Sequence, residues 1–471
     1  MILRDLALSV GDLEGSDRAA ARAILGRPTD GASDPADDGY RPGTQVTTTC
    51  STNFCFHWVT TTTDQVSPTD SSGNGIPDYI DSAISVFEHV RTIEVDQLGF
   101  KPPKSDQTSE NNGGDGKTDI YFTDTGDEGT YGYCTSDDPA LEPQPIRYDV
   151  SAYCTLDNDF SPSQFEDTNG LEALQVTAGH EYNHAIQYAY DIAEDKWLLE
   201  GAATWIEDVL YDSVDDYYQY LPVSQMGLPS IPLDFSSTQD TPIAQSKYGA
   251  FLYFRFLSES IFGTTTAPDH SFMADIFEHA DSSRGAANDE HSTQAVESVL
   301  DERGFHFGGV YALFGVANLL PTSFYEEGAA YAQNSNTPGQ VVNITRSNSP
   351  KTVKATLDHL TTSYKVFRPG RGTRASSRLR LKYNGPPLAN GTFATIVTVA
   401  PGAAPLPFAL NGSGDGTTIV SFGKGEVTAV AVVMTNASNS FSNCFTGRPF
   451  SCEGQPRHEN QVHKVTATLL R

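Results

Sequence analysis

No run of about twenty consecutive apolar residues occurs anywhere in the 471 residues, which excludes a transmembrane helix. The opening residues, Met1-Ile-Leu-Arg-Asp-Leu6, lack the basic start and long apolar core of a signal peptide. The expectation is that an export signal has been removed ahead of them. Basic residues are scarce, with 30 Lys and Arg against 60 Asp and Glu and a formal net charge of −30. The scarcity is regional. Residues 346–471 hold 15 Lys and Arg against 5 Asp and Glu, a net of +10, so residues 1–345 hold 15 against 55, a net of −40. A segment that acidic repels nucleic acid and anionic membranes and argues against both as partners.

Cysteine is also sparse, six in all, and no Cys-x-x-Cys metal pattern occurs. The six fall in three short-range pairs: Cys50 with Cys55, Cys134 with Cys154, and Cys444 with Cys452. An even count at such separations points to disulfides and to an oxidising location outside the cytoplasm. There is no internal repeat, and no low-complexity tract beyond the Gly/Asp/Pro-rich stretch Arg27 to Pro42.

The length exceeds one small core and predicts two or three units. Residues 1–42 read as an N-terminal helical arm or pro-segment remnant with a linker. Leu3, Leu6 and Leu8 carry the first helix, and Ser16 is the expected N-cap of a second reaching Leu25. Strands are expected at Thr44 to Thr49 and Phe54 to Thr60, with His57 packed in the core rather than acting as a ligand. Helices are expected over about 79–98, 170–190, 197–221, 243–261, 270–281, 291–302 and 306–318. From about Lys351 the pattern changes to short strands with Gly/Pro turns, among them Ala394 to Val399 and Val427 to Met434. The fold class read from this is α+β, with a domain at 43–345 and a C-terminal β-sandwich at 346–471.

The chemistry concentrates in Thr177-Ala-Gly-His-Glu-Tyr-Asn-His184. On a helix, His180 and His184 share a face and can reach one metal ion, with Glu181 beside them but not ligating. A histidine third ligand would stand at Tyr190 and its glycine at Gln187, so the metzincin pattern is excluded. Glu200 is the candidate third ligand, carried back over the first helix by a second one. Asp191, Glu194 and Asp195, in the intervening turn, compete for that place. Glu207 and Asp208 are candidates to orient a ligating histidine, or are a solvated acidic face.

These residues resemble those of gluzincin metallopeptidases, and Glu200-Gly-Ala-Ala resembles the third-ligand segment of the aminopeptidase branch. More locally the chain is similar to a group of little-characterised secreted bacterial proteins assigned as metalloproteases. That similarity rests on Asn74-Gly-Ile-Pro-Asp-Tyr79, Gly114-Asp-Gly-Lys-Thr-Asp-Ile-Tyr121, Leu156-Asp-Asn-Asp-Phe160 and Glu200-Gly-x-Ala-x-Trp-x-Glu-Asp208. It implies a gluzincin-like domain holding Zn2+, with Glu181 as general base. It also implies a tyrosine-bearing helix, which places Tyr248 as oxyanion donor; the alternative is that Tyr248 is one of several core aromatics there. No Gly-x-Met-x-Asn segment is present, so endopeptidase action is favoured.

Asp70, Ser72, Asn74, Asp78 and Asp81 fall at EF-loop positions 1, 3, 5, 9 and 12, with Gly75 at position 6, so Ca2+ is a candidate ligand. The other reading is a polar turn leading into a helix. The functional expectation is a secreted zinc-dependent peptidase acting on protein or peptide substrates. A non-catalytic zinc-containing binding protein and a zinc hydrolase of a non-peptide amide or ester are the alternatives. The basic C-terminal region is a candidate for holding an anionic surface polymer.

Overall fold

The computed structural model describes residues 2–31, 39–142, 148–165, 169–237, 241–283, 286, 289–334, 339–400 and 402–470. The middle of the expected linker, 32–38, lies outside the described residues. The protein is mixed α+β and divides into two compact units, Met1–Tyr217 with His270–Glu290, and Tyr218–Asp269 with His291–Arg471. These boundaries fall elsewhere than 42 and 345. The N-terminal helices belong to the first unit, and most helices between 246 and 334 group with the C-terminal strands.

The first unit begins with helices α1 (Ile2–Ser9) and α2 (Gly15–Ile24). Glu14, not Ser16, occupies the N-cap of α2, so Ser16 lies inside the helix. A five-stranded sheet follows, built from β1 (Val46–Cys50), β2 (Phe54–Val59), β3 (Thr118–Thr123), β4 (Gly132–Thr135) and β5 (Tyr153–Asp157). The order is β1-β2-β3-β5-β4, with β2, β3 and β5 parallel and the two edge strands antiparallel. Every residue of β2 and β5 is buried, as expected of parallel strands covered on both faces. Helix α3 (Asp78–Arg91), continued by a π turn to Gln97, packs on β2. Helix α4 (Gly170–Asp191) lies against α3, β4 and β5, and pairs with α5 (Lys196–Leu210). Helix α5 stops eleven residues short of the expected 221, because Tyr211 leaves helical geometry at φ −138° and ψ 63°.

The expected disulfides form. Cys50–Cys55 closes the β1–β2 hairpin, Cys134–Cys154 joins facing residues of β4 and β5, and Cys444–Cys452 lies near the C-terminus. Among the described residues no helix is long and apolar enough to cross a membrane. Three disulfides are compatible with an extracellular or periplasmic location.

In the second unit, strands β6 (Gly339–Ile344), β7 (Lys351–Leu357), β8 (Thr361–Pro369), β9 (Arg378–Asn384) and β10 (Thr392–Val399) come first. They are followed by β11 (Leu406–Pro407), β12 (Asp415–Ser421), β13 (Ala429–Asn436), β14 (Phe441–Ser442), β15 (Gln455–Pro456) and β16 (Gln461–Leu470). One sheet runs β11-β10-β13-β8-β6 and another β12-β9-β16-β7. One apolar cluster takes side chains from both: Leu379, Leu381, Val465 and Ala467 from the second, Ile396, Val430, Val432 and Met434 from the first. All of β13 is buried, because its other face, through Ala431 and Val433, packs on Val316 of the helix Phe307–Leu319.

An ionic group centred on the buried His359 and Asp234 ties distant segments of this unit together. His359 Nε2 lies 2.9 Å from Asp234 Oδ1 and its Nδ1 2.5 Å from Glu459, while Ser451 donates its N–H and hydroxyl to Asp234 Oδ2 at 2.9 and 2.8 Å. Burial works to lower the His359 pKa, but Asp234 and Glu459 outweigh it and raise it to about 9. A raised histidine stabilises the fold fully below its unfolded value of 6.5, and that contribution is lost as pH climbs through about 9. Thermal midpoints measured between pH 6 and 10 should therefore fall more steeply in the wild type than in His359→Gln; parallel curves would refute the linkage.

Candidate metal centre

Helix α4 is started by Asn169, whose side-chain oxygen accepts the N–H groups of Leu171 and Glu172 at 3.1 Å each. That cap satisfies donors a helix start leaves open. Gly179 would weaken an isolated helix, yet a Cβ there would meet Leu210 Cδ1 at 2.6 Å. The glycine leaves room for the Leu210 side chain of α5 one residue before His180.

The two helices bring His180, His184 and Glu200 together, with one ligand atom from each within 4.8 Å of the others. Glu200 Oε2 stands 3.4 Å from Nε2 of His180 and 3.4 Å from Nε2 of His184. Both distances exceed the usual N–H···O range of about 2.7–3.2 Å. They match the edge of a tetrahedron, about 3.3–3.4 Å, set by an ion with bonds of about 2.0–2.1 Å. Glu200 is 2 % exposed and His184 5 %, so this donor set is largely withdrawn from water. Asp191 and Glu194 instead accept backbone N–H groups of Ala193 and Asp195 within the turn.

The opposite nitrogens are engaged as well. His180 Nδ1–H donates to Glu207 Oε1 at 2.7 Å, and His184 Nδ1–H to Gln187 Oε1 at 2.8 Å. Fixing Nδ1 as the donor directs each Nε2 lone pair towards Glu200, the arrangement that metal-binding histidines use. Gln187 is held in turn, donating to Asn183 Oδ1 at 2.6 Å and to the Leu199 carbonyl at 2.9 Å. Asn183 donates to Glu94 at 2.7 Å. Burial pushes Glu94 up to about 8 and Glu207 up to about 7. For His180, burial works downward, but the carboxylates of Glu200 and Glu207 prevail and raise it to about 10, so a proton must leave Nε2 before that nitrogen can hold an ion.

The turn between the ligand helices is held from the N-terminus. Buried Arg4 on α1 donates to the carbonyls of Ile192 at 2.6 Å and Glu194 at 2.7 Å, and Asp5 pairs with Lys196. A cation at the C-terminal end of α4 also complements the helix dipole.

Glu181 lies on α4, is 8 % exposed, and is not a member of the three-ligand cluster. Tyr248 belongs to the second unit, where its ring stacks on Tyr220 at 4.9 Å. His57 is a core residue, bonded to Asp119 at 2.8 Å and Thr48 at 2.9 Å. In the candidate calcium loop, Asp70 accepts the N–H groups of Gly73, Asn74 and Gly75, and Asn74 donates to Asp81. Asp78 accepts from Ser71, and Ser72 donates to Asp70. The loop runs directly into α3, which begins at Asp78. Gln187, Asn183, Glu94 and Arg4 were not foreseen as parts of the site. Gln187 stands three residues after His184, on the same helix face, and could have been found from spacing alone.

No family model and no curated protein matches the sequence. Solved structures similar to part of the chain include the pre-peptidase C-terminal domain of a Bacillus anthracis collagenase. It is 11 % identical, with 28 % of this chain and 100 % of that one covered, and a TM-score of 0.18. Another is the Aeromonas hydrophila PliG, a periplasmic inhibitor of g-type lysozyme, 14 % identical over 28 % of this chain and 96 % of that one, with a TM-score of 0.18. Likenesses at this level carry no argument about activity.

Two expectations follow for metal affinity. Gln187→Leu and Glu207→Gln should each weaken Zn2+ binding about 10- to 100-fold in chelator competition, since each removes the group orienting a ligand. Arg4→Ala should free the turn Ile192 to Lys196, seen as faster limited proteolysis there and a smaller loss of Zn2+ affinity; an unchanged cleavage rate would refute the clamp.

Proposed function

We propose that this protein is a secreted zinc-dependent peptidase of gluzincin type, with His180, His184 and Glu200 holding the ion. The observation that carries the reading is the pair of 3.4 Å separations between Glu200 Oε2 and the two Nε2 atoms. The donor set, two neutral imidazoles and one carboxylate, suits Zn2+ and leaves it one net positive charge. When bound, such an ion acts as a Lewis acid and lowers the pKa of water towards neutrality.

What the chain supplies is positioning and proton transfer. Glu207 and Gln187 orient the two imidazoles, and α5 presents Glu200 to both. Glu181, adjacent to His180 and outside the ligand set, is the general base that takes a proton from the attacking water and returns it to the leaving amine. A site kept only for structure has no need of a carboxylate there, which favours catalysis over a purely binding role. The two C-terminal sheets form an accessory β-sandwich that holds an anionic surface polymer.

The deciding experiment is hydrolysis of an unfolded, generic protein substrate by wild type and Glu181→Gln at matched zinc occupancy. Cleavage by the wild type, reduced about 10²- to 10⁴-fold in the variant, is expected for loss of a general base. Equal cleavage by both would remove Glu181 from the mechanism.

A further inference from the structure

Strand β9 alternates exposed and buried residues along its length: Arg378, Arg380 and Lys382 exposed, Leu379, Leu381 and Tyr383 buried. Its antiparallel neighbours extend the exposed face. Lys382 stands opposite Thr466 of β16 and Thr417 of β12; Arg380 stands opposite Thr468 and Ile419; Arg378 stands opposite Ser421. On the far side of β16, Lys464 pairs with Lys354 of β7, and both are exposed. Five cations thus share one face of the four-stranded sheet, interleaved with rows of hydroxyls. Its one acid, Asp415, is bonded to Asn384 at 2.7 Å. Among the described residues none of the five cations is in an ion pair.

Same-face residues along a strand repeat at about 6.6–6.8 Å, and facing residues on neighbouring strands lie about 4.5–5.5 Å apart. The cations of β9 therefore form a straight file rather than a point. Beside that file lies a hollow of about 290 Å³, lined by Arg346, Arg374, Ser349, Ser376, Ser377 and Thr468. Thr468 faces Arg380, so hollow and file are continuous.

We propose that this face binds a polyuronate, a linear polysaccharide with carboxylates on successive sugars. Arginine forks pair with carboxylates bidentately, and the Thr and Ser rows match sugar hydroxyls, which a heavily sulfated chain would lack. The face offers no aromatic ring for base stacking and no helix to enter a groove, so nucleic acid is disfavoured. The assignment specifies the polymer partner of the C-terminal strands and stands apart from the peptidase reading.

The test is binding of the full chain to polygalacturonate, with dextran sulfate, neutral dextran, single-stranded DNA and phosphatidylserine vesicles as alternatives. Polygalacturonate should be preferred, and its affinity should fall as salt rises from about 50 to about 200 mM. The triple variant Arg378→Gln, Arg380→Gln, Lys382→Gln should bind about tenfold or more weakly, and Lys354→Gln with Lys464→Gln should move the same way. Glu181→Gln should bind as the wild type does, whatever becomes of its activity. Undiminished binding by both surface variants would overturn the proposal, as would equal retention on neutral dextran or a preference for any other polyanion.

Discussion

The close pairing of α4 with α5 is the constraint on which the candidate site depends. Two of the candidate ligands sit on one helix and the third on the other, so the packing of the two helices sets how the three meet. Gly179 leaves room for the Leu210 side chain of α5, at a cost to the isolated helix of about 1 kcal/mol relative to alanine. Arg4 then holds the connecting turn through the carbonyls of Ile192 and Glu194. The N-terminal helices are therefore part of the first unit, and α1 is bonded to the segment that joins His184 to Glu200.

Acidity on this scale would strain any compact fold, and the protein meets it by placing its few cations where carboxylates converge. Arg27, 2 % exposed, pairs with Asp106, Asp119 and Asp137, and Asp119 also receives His57. Arg255 does the same for Glu259 and Glu327 in the second unit. Removing one member of such a buried set leaves an uncompensated charge, which costs about 3–5 kcal/mol. Buried arginines such as Arg27 and Arg255 are therefore structurally consequential. The surplus on the β9 face is the exception, because those cations are left in water.

Much of this was legible in the residues. The helix bearing His180 and His184 runs within two residues of its expected span, since its apolar periodicity signals it. The three disulfides follow from short cysteine spacings. Other features were not legible. The length of α5 was overread because its apolar pattern continues past Tyr211, where the backbone turns. Ser16 looks like a cap by composition, but Glu14 takes the extended geometry a cap needs. Glu94 reaches the site from about ninety residues away, which no local pattern can announce.

What the sequence determined by itself is what depends on short separations. That includes the ligand pair four residues apart, Glu181 beside it, the disulfide partners, and alternating strands that assign one face to the core and one to water. Only the tertiary structure decided which acid joined the histidines and which groups oriented them. It also decided that the N-terminal helices brace the site, and which helices keep company with the C-terminal sheets. Those choices turn on contacts between segments distant in the chain, where burial, close packing at a glycine and the need to satisfy every enclosed carbonyl and carboxylate select one arrangement among many that the local pattern permits.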